Sequence, residues 1–172
     1  LAEETGLIVE MDLWLLNRLR ELDLGLPLHL NLSPKTLADP RLLETAALLR
    51  GRPLEVEVTE YSLAQPGTRE VLKALKGLGF GLALDDFGQG YASMNALVEN
   101  PFDALKVDRA FTWGIGQNPK AEAVLRAALD LARTLGLQAV AEGVETEEQR
   151  RWLLQVGYRL GQGYLLGRPS AV

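Results

Sequence analysis

Cysteine is absent from the 172-residue sequence, and histidine occurs only once. Disulfide bonds and thiolate metal sites are therefore excluded. The sequence contains no apolar run close to the roughly 20 residues that a membrane-spanning helix needs. Basic residues are outnumbered by acidic ones: the chain has 18 Lys and Arg and 23 Asp and Glu, which gives a formal net charge of −5. This acidic balance argues against binding a nucleic-acid polymer, although a metal ion could still link a phosphate substrate to acidic groups.

An initiator Met and a signal-peptide pattern are lacking in the first five residues, Leu-Ala-Glu-Glu-Thr. This start predicts that the sequence comes from inside a longer polypeptide. Hydrophobic residues make up 47% of the chain, which is enough for one globular domain with a buried core. We therefore predict a single domain over residues 1–172.

Short β-like runs alternate with longer stretches of helical period along the whole chain. We predict six strands, at residues 27–32, 54–59, 80–85, 104–108, 137–141 and 159–164. Helices are predicted at residues 8–23, 38–50, 67–78, 91–99, 118–135 and 146–156. Strict alternation of strand and helix indicates a parallel sheet with helical crossovers.

The number of strands leaves two architectures open. Six strands in 172 residues correspond to about 29 residues for each strand–helix unit, and eight such units give roughly the 250 residues of a TIM-type (β/α) barrel. An open, doubly wound sheet fits six strands equally well.

Polar side chains recur near the carboxyl ends of five consecutive predicted strands. Successive side chains along a strand point to opposite faces, so the large aliphatic residues share one face and these polar residues the other. The set consists of Asn31, Glu57, Asp85, Lys106 and Glu142. Each residue alone has an ordinary explanation as a turn former, a helix cap or a solvated side chain. Together they favour the barrel, whose inward polar groups meet at the mouth that holds active sites.

Two further features have weaker functional interpretations. His29 lies deeper in its predicted strand, so a structural role is favoured over a role as a metal ligand. Gly88-Gln89-Gly90 follows a strand and superficially resembles a dinucleotide-binding turn, but Ser93 stands where that fingerprint needs a third glycine. The preceding Asp85-Asp86 pair would also repel a pyrophosphate.

Seven ordered motifs cover essentially the whole chain. They are residues 1–8, Asn31-Leu32-Ser33-Pro34, Glu57-Val58-Thr59-Glu60, residues 85–91 (DDFGQGY), residues 105–109 (LKVDR), residues 141–146 (AEGVET) and Gly161-Gln162-Gly163-Tyr164. In order and spacing these motifs resemble the EAL-domain family. The resemblance implies a modified TIM barrel that hydrolyses one phosphodiester of cyclic di-GMP to linear pGpG with Mg²⁺ or Mn²⁺, using two ions.

The resemblance also implies roles for individual residues. It implies metal ligands at Asn31, Glu57, Asp85 and Asp86, catalytic roles for Lys106, Glu142 and Glu60, and substrate contacts for Gln162 and Asp108. Lys106 would orient the attacking water and offset charge at the phosphate, and Glu142 would complete the metal and water network. Glu60 would hold the loop that follows Asp85 and Asp86.

The chain departs from the family pattern at three places. Gln89 stands where the family usually has Thr, and Ala92 where it usually has Ser. The Glu-Ala-Leu strand that names the family, which normally lies upstream of the segment matching residues 1–8, is missing, and with it a metal-ligating Glu. We therefore expect that these 172 residues expressed alone would not hydrolyse cyclic di-GMP.

A non-catalytic receptor for cyclic di-GMP is the main alternative function, and a structural half-barrel kept for dimerisation is a third. Degenerate family members that act as receptors typically lose metal ligands, and the motifs here keep them. The resemblance further implies a homodimer, additional sensor or cyclase domains in the full-length protein, and a cytoplasmic location that leaves membrane attachment of the full-length protein open.

Overall fold

A computed structural model describes residues 6–22, 26–90 and 94–169 of the chain. The first five residues of the predicted N-terminal motif lie outside the described residues. Tyr91, the last residue of the fourth motif, and the two residues after it, Ala92 and Ser93, also lie outside the described residues. Among the described residues, no helix has the length and apolar character that crossing a bilayer requires.

Six strands alternate with helices along the chain. The strands are β1 (Leu28–Asn31), β2 (Leu54–Thr59), β3 (Gly81–Phe87), β4 (Ala104–Val107), β5 (Gln138–Ala141) and β6 (Leu160–Gly161). The helices are α1 (Leu7–Glu21), α2 (Pro34–Leu37), α3 (Arg41–Ala47), α4 (Glu60–Leu63), α5 (Thr68–Gly77), α6 (Met94–Glu99), α7 (Arg109–Trp113), α8 (Pro119–Leu135) and α9 (Glu147–Val156).

The chain divides into two compact units. The first comprises residues 1–83 and 91–102, and the second comprises residues 84–90 and 103–172. Strand β3 begins in the first unit and ends in the second.

The first unit contains the strand order β1-β2-β3. Strands β1 and β2 are parallel, and their register sets Asn31 beside Glu57 at the carboxyl ends. Leucine and valine side chains of these strands and of α5 form the buried core, which includes Leu30, Val56, Leu72 and Leu82. The buried Asp12 of α1 accepts hydrogen bonds from the Ser33 backbone N–H at 3.2 Å and the Thr36 hydroxyl at 2.6 Å. These bonds anchor the turn after β1 to α1.

The second unit contains the strand order β3-β4-β5-β6. Strands β4 and β5 pair in parallel, as do β5 and β6. Helix α8 begins at an Asn118 cap and α9 at a capping box formed by Thr146 and Gln149. Both helices end at a glycine in the left-handed conformation, which offers the C-terminal carbonyls new donors. These caps fix where each long helix begins and ends relative to the strand beside it.

The six predicted strands are all present, and the bounds of β2 agree with the sequence prediction. The main differences are short helices: α2, α4 and α7 were not predicted, and the predicted helix 38–50 is the shorter α3. Each of these helices begins soon after a strand at a side-chain cap. The Ser33 side chain accepts from the Thr36 N–H at α2, that of Thr59 from the Ser62 N–H at α4, and that of Asp108 from the Ala110 N–H at α7. One helical turn is too short to show a hydrophobic period, so capping chemistry decides its position.

Candidate active site

Lys106 lies at the centre of the polar cluster in the second unit. Its side chain projects from β4 and is buried, with about 5% of its surface exposed. The ammonium Nζ lies 3.2 Å from Oδ1 of Asp85 and 2.8 Å from Oε1 of Glu142. Asp85 comes from β3 and Glu142 follows β5 directly, so three neighbouring strands each supply one charged group. A buried ammonium is stabilised only when it is paired in this way.

Asp86 has an unusual backbone conformation for its residue type. Its φ angle is 56°, the one positive φ of a non-glycine residue in the described part of the chain. Its backbone N–H donates to Oδ1 of Asp85 at 3.0 Å. Burial raises the pKa of the Asp86 carboxyl, and the negative charges of Asp85 and Asp108 raise it further. Two adjacent carboxylates are therefore held together against their mutual repulsion, which suits a site for a cation.

Burial is also the main influence on Glu142. It raises the pKa of the Glu142 carboxyl, and the hydrogen bond from Lys106 partly opposes this change. The Glu142 backbone N–H donates to the Val107 carbonyl at 3.1 Å, which fixes the residue against the end of β4.

The carboxylates of this cluster meet the basic requirement for a metal site. Asp85, Asp86 and Glu142 each offer a ligand atom, and these atoms all lie within 4.8 Å of one another. Carboxylate oxygens are hard ligands of the kind that Mg²⁺ and Mn²⁺ prefer. The donor set therefore fits a hard divalent cation.

Two glycines allow the loops of this cluster to approach α7 closely. A Cβ at Gly88 would lie 2.5 Å from the Phe111 ring, and a Cβ at Gly143 would lie 2.5 Å from the Cβ of Arg109. Both glycines also have positive φ angles, of 107° and 70°. The loops after β3 and β5 thus need glycine for both space and backbone conformation.

A pocket of about 210 Å³ adjoins Glu142. Its lining residues are Arg109, Glu142, Gly143, Glu145, Gln162, Gly163 and Tyr164. The backbone of Gln162 bridges two loops, because its N–H donates to the Ala141 carbonyl at 2.9 Å and its carbonyl accepts from the Val144 N–H at 3.0 Å. Gln162, predicted as a substrate contact, is therefore exposed beside the acidic group of Glu142.

The first unit has its own polar cluster at the ends of β1 and β2. Asn31 and Glu57 are register partners, and Glu57 is buried. The His29 Nδ1 atom lies 2.9 Å from Oε1 of Glu55 and 3.2 Å from Oε1 of Glu57. Glu60 is buried in the first turn of α4. The structure thus brings Asn31 and Glu57 together, and their roles as ligands, like that of Glu60 as a loop anchor, stay predictions.

Sequence reasoning overlooked two contacts. The structural role predicted for His29 did not include its contacts with Glu55 and Glu57. The alternation of side chains along the two strands, which puts these three residues on one face, was visible in the sequence. Sequence reasoning also treated Gln89 only as a departure from the family pattern. In the structure the Gln89 amide donates to Oδ2 of Asp108 at 2.8 Å, a contact that no local pattern predicts.

Comparison with known proteins identifies the family. The model of the EAL domain matches residues 1–169. Among curated relatives, the cyclic di-GMP phosphodiesterase RocR of Pseudomonas aeruginosa is 37% identical over 96% of this chain, and the match spans 46% of RocR. The bifunctional diguanylate cyclase/cyclic di-GMP phosphodiesterase MucR of the same organism is 38% identical over 98% of this chain and 27% of MucR. The chain thus spans less than half the length of these relatives.

Solved structures agree with this match. The structure of the PaMucR phosphodiesterase in complex with c-di-GMP superposes with a TM-score of 0.90 at 34% identity, covering 99% of this chain and 76% of that one. The manganese/cyclic di-GMP complex of Klebsiella pneumoniae BlrP1 gives a TM-score of 0.81 at 36% identity, covering 94% and 44% of the two chains. The predicted TIM-type (β/α) barrel class, with six parallel strands in this chain, is confirmed, and the open doubly wound sheet is excluded. The chain belongs to the EAL domain family.

Proposed function

We propose that this chain is the catalytic part of a metal-dependent phosphodiesterase that hydrolyses cyclic di-GMP to linear pGpG. The observation that carries the proposal is the buried Lys106 held between Asp85 and Glu142, with Asp86 beside them. Support comes from relatives that are named cyclic di-GMP phosphodiesterases and from related structures in complex with that nucleotide.

The ligand assignment follows the chemistry of each side chain. We assign Asp85 and Asp86 in the second unit, and Asn31 and Glu57 in the first, as oxygen ligands of Mg²⁺ or Mn²⁺. A related structure contains manganese and another contains calcium, each with cyclic di-GMP. When bound, divalent ions supply Lewis-acid chemistry that polarises a phosphate oxygen and lowers the pKa of a water molecule.

The residues of the chain itself orient the reactants. The Lys106 ammonium donates hydrogen bonds toward the attacking water and the phosphate oxygens, where negative charge develops. Glu142 keeps Lys106 in place and accepts a hydrogen bond from the water. Gln162, at the rim of the pocket beside Glu142, is the proposed nucleotide contact.

Hydrolysis fits the site better than binding without chemistry. A receptor has no need to bury an ammonium between two carboxylates, since nucleotide binding alone can be achieved by exposed donors. In this chain Lys106, Asp85, Asp86 and Glu142 are all retained and lie in contact or close to one another. The predicted homodimer, the additional sensor or cyclase domains and the cytoplasmic location stay predictions.

A direct assay tests the proposal. The assay uses this chain joined to the Glu-Ala-Leu strand that the family carries upstream, because the 172 residues alone are expected to be inactive. The protein is stripped of metal, supplied with Mn²⁺ or Mg²⁺ and incubated with cyclic di-GMP, and pGpG is separated by chromatography. We expect turnover that requires the added ion. Tight binding of cyclic di-GMP with no pGpG in the presence of either ion would instead establish the receptor function.

A further inference from the structure

Gln89 is connected to the candidate active site through Asp108. The Gln89 Nε2 atom donates to Oδ2 of Asp108 at 2.8 Å. The other carboxylate oxygen of Asp108, Oδ1, accepts from the Ala110 backbone N–H at 2.7 Å and caps α7. One buried carboxylate thus joins the turn after β3 to the first turn of α7.

Two backbone hydrogen bonds lie close to this side-chain bond. The Gln89 N–H donates to the Asp86 carbonyl and the Asp108 N–H donates to the Phe87 carbonyl, both at 3.4 Å. Both bonds are long, so each is weak alone. Gly88 packs against the Phe111 ring, where no side chain would fit. The 2.8 Å bond from Gln89 is therefore a shorter polar link between this turn and Asp108, the residue after β4, than either backbone bond.

The turn carries Asp86 in its left-handed conformation, with φ of 56°. A residue other than glycine in this region stores strain, so its surroundings must hold it there. Asp86 also lies near the negative charge of Asp108. A donor bound to Asp108 offsets part of this repulsion and keeps the two carboxylates close together.

We propose that Gln89 is a positioning residue that holds the Asp85-Asp86 turn in its metal-binding geometry by means of Asp108. This inference rests on the proposed function for its assignment of Asp85 and Asp86 as metal ligands. Each oxygen of Asp108 accepts one of these hydrogen bonds, so its carboxylate anchors the turn to α7.

The test measures Mn²⁺ binding without nucleotide. Gln89→Met keeps the length of the side chain and its neutral charge but removes the donor. Calorimetry on the metal-stripped protein is expected to show Mn²⁺ binding weakened about 2- to 10-fold, the range expected for one lost hydrogen bond. Gln117→Met, at another exposed glutamine, is the matched control and should bind Mn²⁺ normally.

Two further measurements separate positioning from a general structural effect. The Mn²⁺ concentration needed for half-maximal turnover should rise in Gln89→Met, while kcat at saturating Mn²⁺ stays near that of the unsubstituted protein. Asp108→Ser keeps an acceptor that can cap α7 but is too short to meet Gln89. In that background Gln89→Met should add no further loss of Mn²⁺ affinity.

The possible outcomes test the positioning role of Gln89 and the proposed function separately. Normal Mn²⁺ affinity in Gln89→Met, or an undiminished effect of Gln89→Met in the Asp108→Ser background, would overturn the positioning role alone. Absence of Mn²⁺ binding by the unsubstituted protein would overturn the proposed function and this inference together.

Discussion

The two units each carry a polar cluster at strand ends, and the two clusters are built differently. In the first unit the basic partner is His29, whose side chain is 54% exposed and lies on Glu55 and Glu57. In the second unit it is Lys106, whose side chain is 5% exposed and lies between Asp85 and Glu142. A histidine is charged only when it is protonated, whereas lysine normally carries its charge at neutral pH.

This difference indicates which cluster depends more on its basic residue. The histidine of the first cluster is mostly exposed, so solvent already stabilises its charge and its ion pairs contribute little. A buried lysine between carboxylates is different, since removing it leaves buried negative charge without compensation. The second cluster is therefore expected to be sensitive to the loss of its cation, and the first to tolerate it.

Lys106→Met has the largest expected effect, because it removes the buried basic residue of the second cluster. Removing a positioned donor and charge at the reacting phosphate commonly lowers the rate about 10²–10⁴-fold. We expect kcat for cyclic di-GMP hydrolysis to fall by that amount with a much smaller change in KM. Steady-state kinetics measure both values, and the exposed Lys120→Met is the control. An unchanged kcat with a raised KM would assign Lys106 to substrate binding instead.

Asp85→Asn tests the acidic side of the same cluster. The substitution removes a negative charge at nearly constant shape, so both Mn²⁺ affinity and turnover should decrease. Replacing a residue that only orients a metal ligand lowers metal affinity or activity about 10–100-fold. Loss of a ligand itself should lower them at least as much. Mn²⁺ titration followed by calorimetry gives the affinity. Near-normal hydrolysis by this variant at low Mn²⁺ concentration would contradict the ligand assignment.

Gly143→Ala tests whether a glycine in a loop of the second unit is needed for space as well as for backbone conformation. A Cβ at this position would lie 2.5 Å from the Cβ of Arg109, and the φ angle of 70° adds backbone strain. Gly51→Ala in the first unit is the matched control, because Gly51 has φ of 85° but open space around its missing Cβ. Strain alone costs about 1–2 kcal/mol of unfolding free energy, so Gly143→Ala should cost more than Gly51→Ala. Urea denaturation of both variants measures the difference, and equal losses would show that the contact with Arg109 is unimportant.

His29→Gln has the smallest expected effect. His29 is the exposed member of both ion pairs, although Glu57 is buried, and pairs with a solvated partner contribute about 0–1 kcal/mol to stability. Thermal unfolding should therefore change little, and Mn²⁺ affinity should stay close to that of the unsubstituted protein. A large loss of Mn²⁺ affinity would make His29 a ligand in its own right and remove the contrast between the clusters.

Much of the fold was predictable because its signals are local. Alternation of short apolar runs with helical periods located all six strands, and Gly and Pro marked their ends. The parity of side chains along each strand also selected Asn31, Glu57, Asp85, Lys106 and Glu142 as one set, since a strand presents every second side chain to the same face. The short helices α2, α4 and α7 were not predicted, because a single cap and not a hydrophobic period defines each of them.

The sequence by itself therefore determined which residues have the chemistry of the proposed phosphodiesterase site and on which strands they lie. Tertiary structure alone decided how these residues are paired. The Lys106 contacts with Asp85 and Glu142, the left-handed Asp86 and the bond from Gln89 to Asp108 join groups on different strands and loops. Such contacts depend on strand order, register and the close approach of loops at glycines, because these set the distance between side chains that are far apart in the chain.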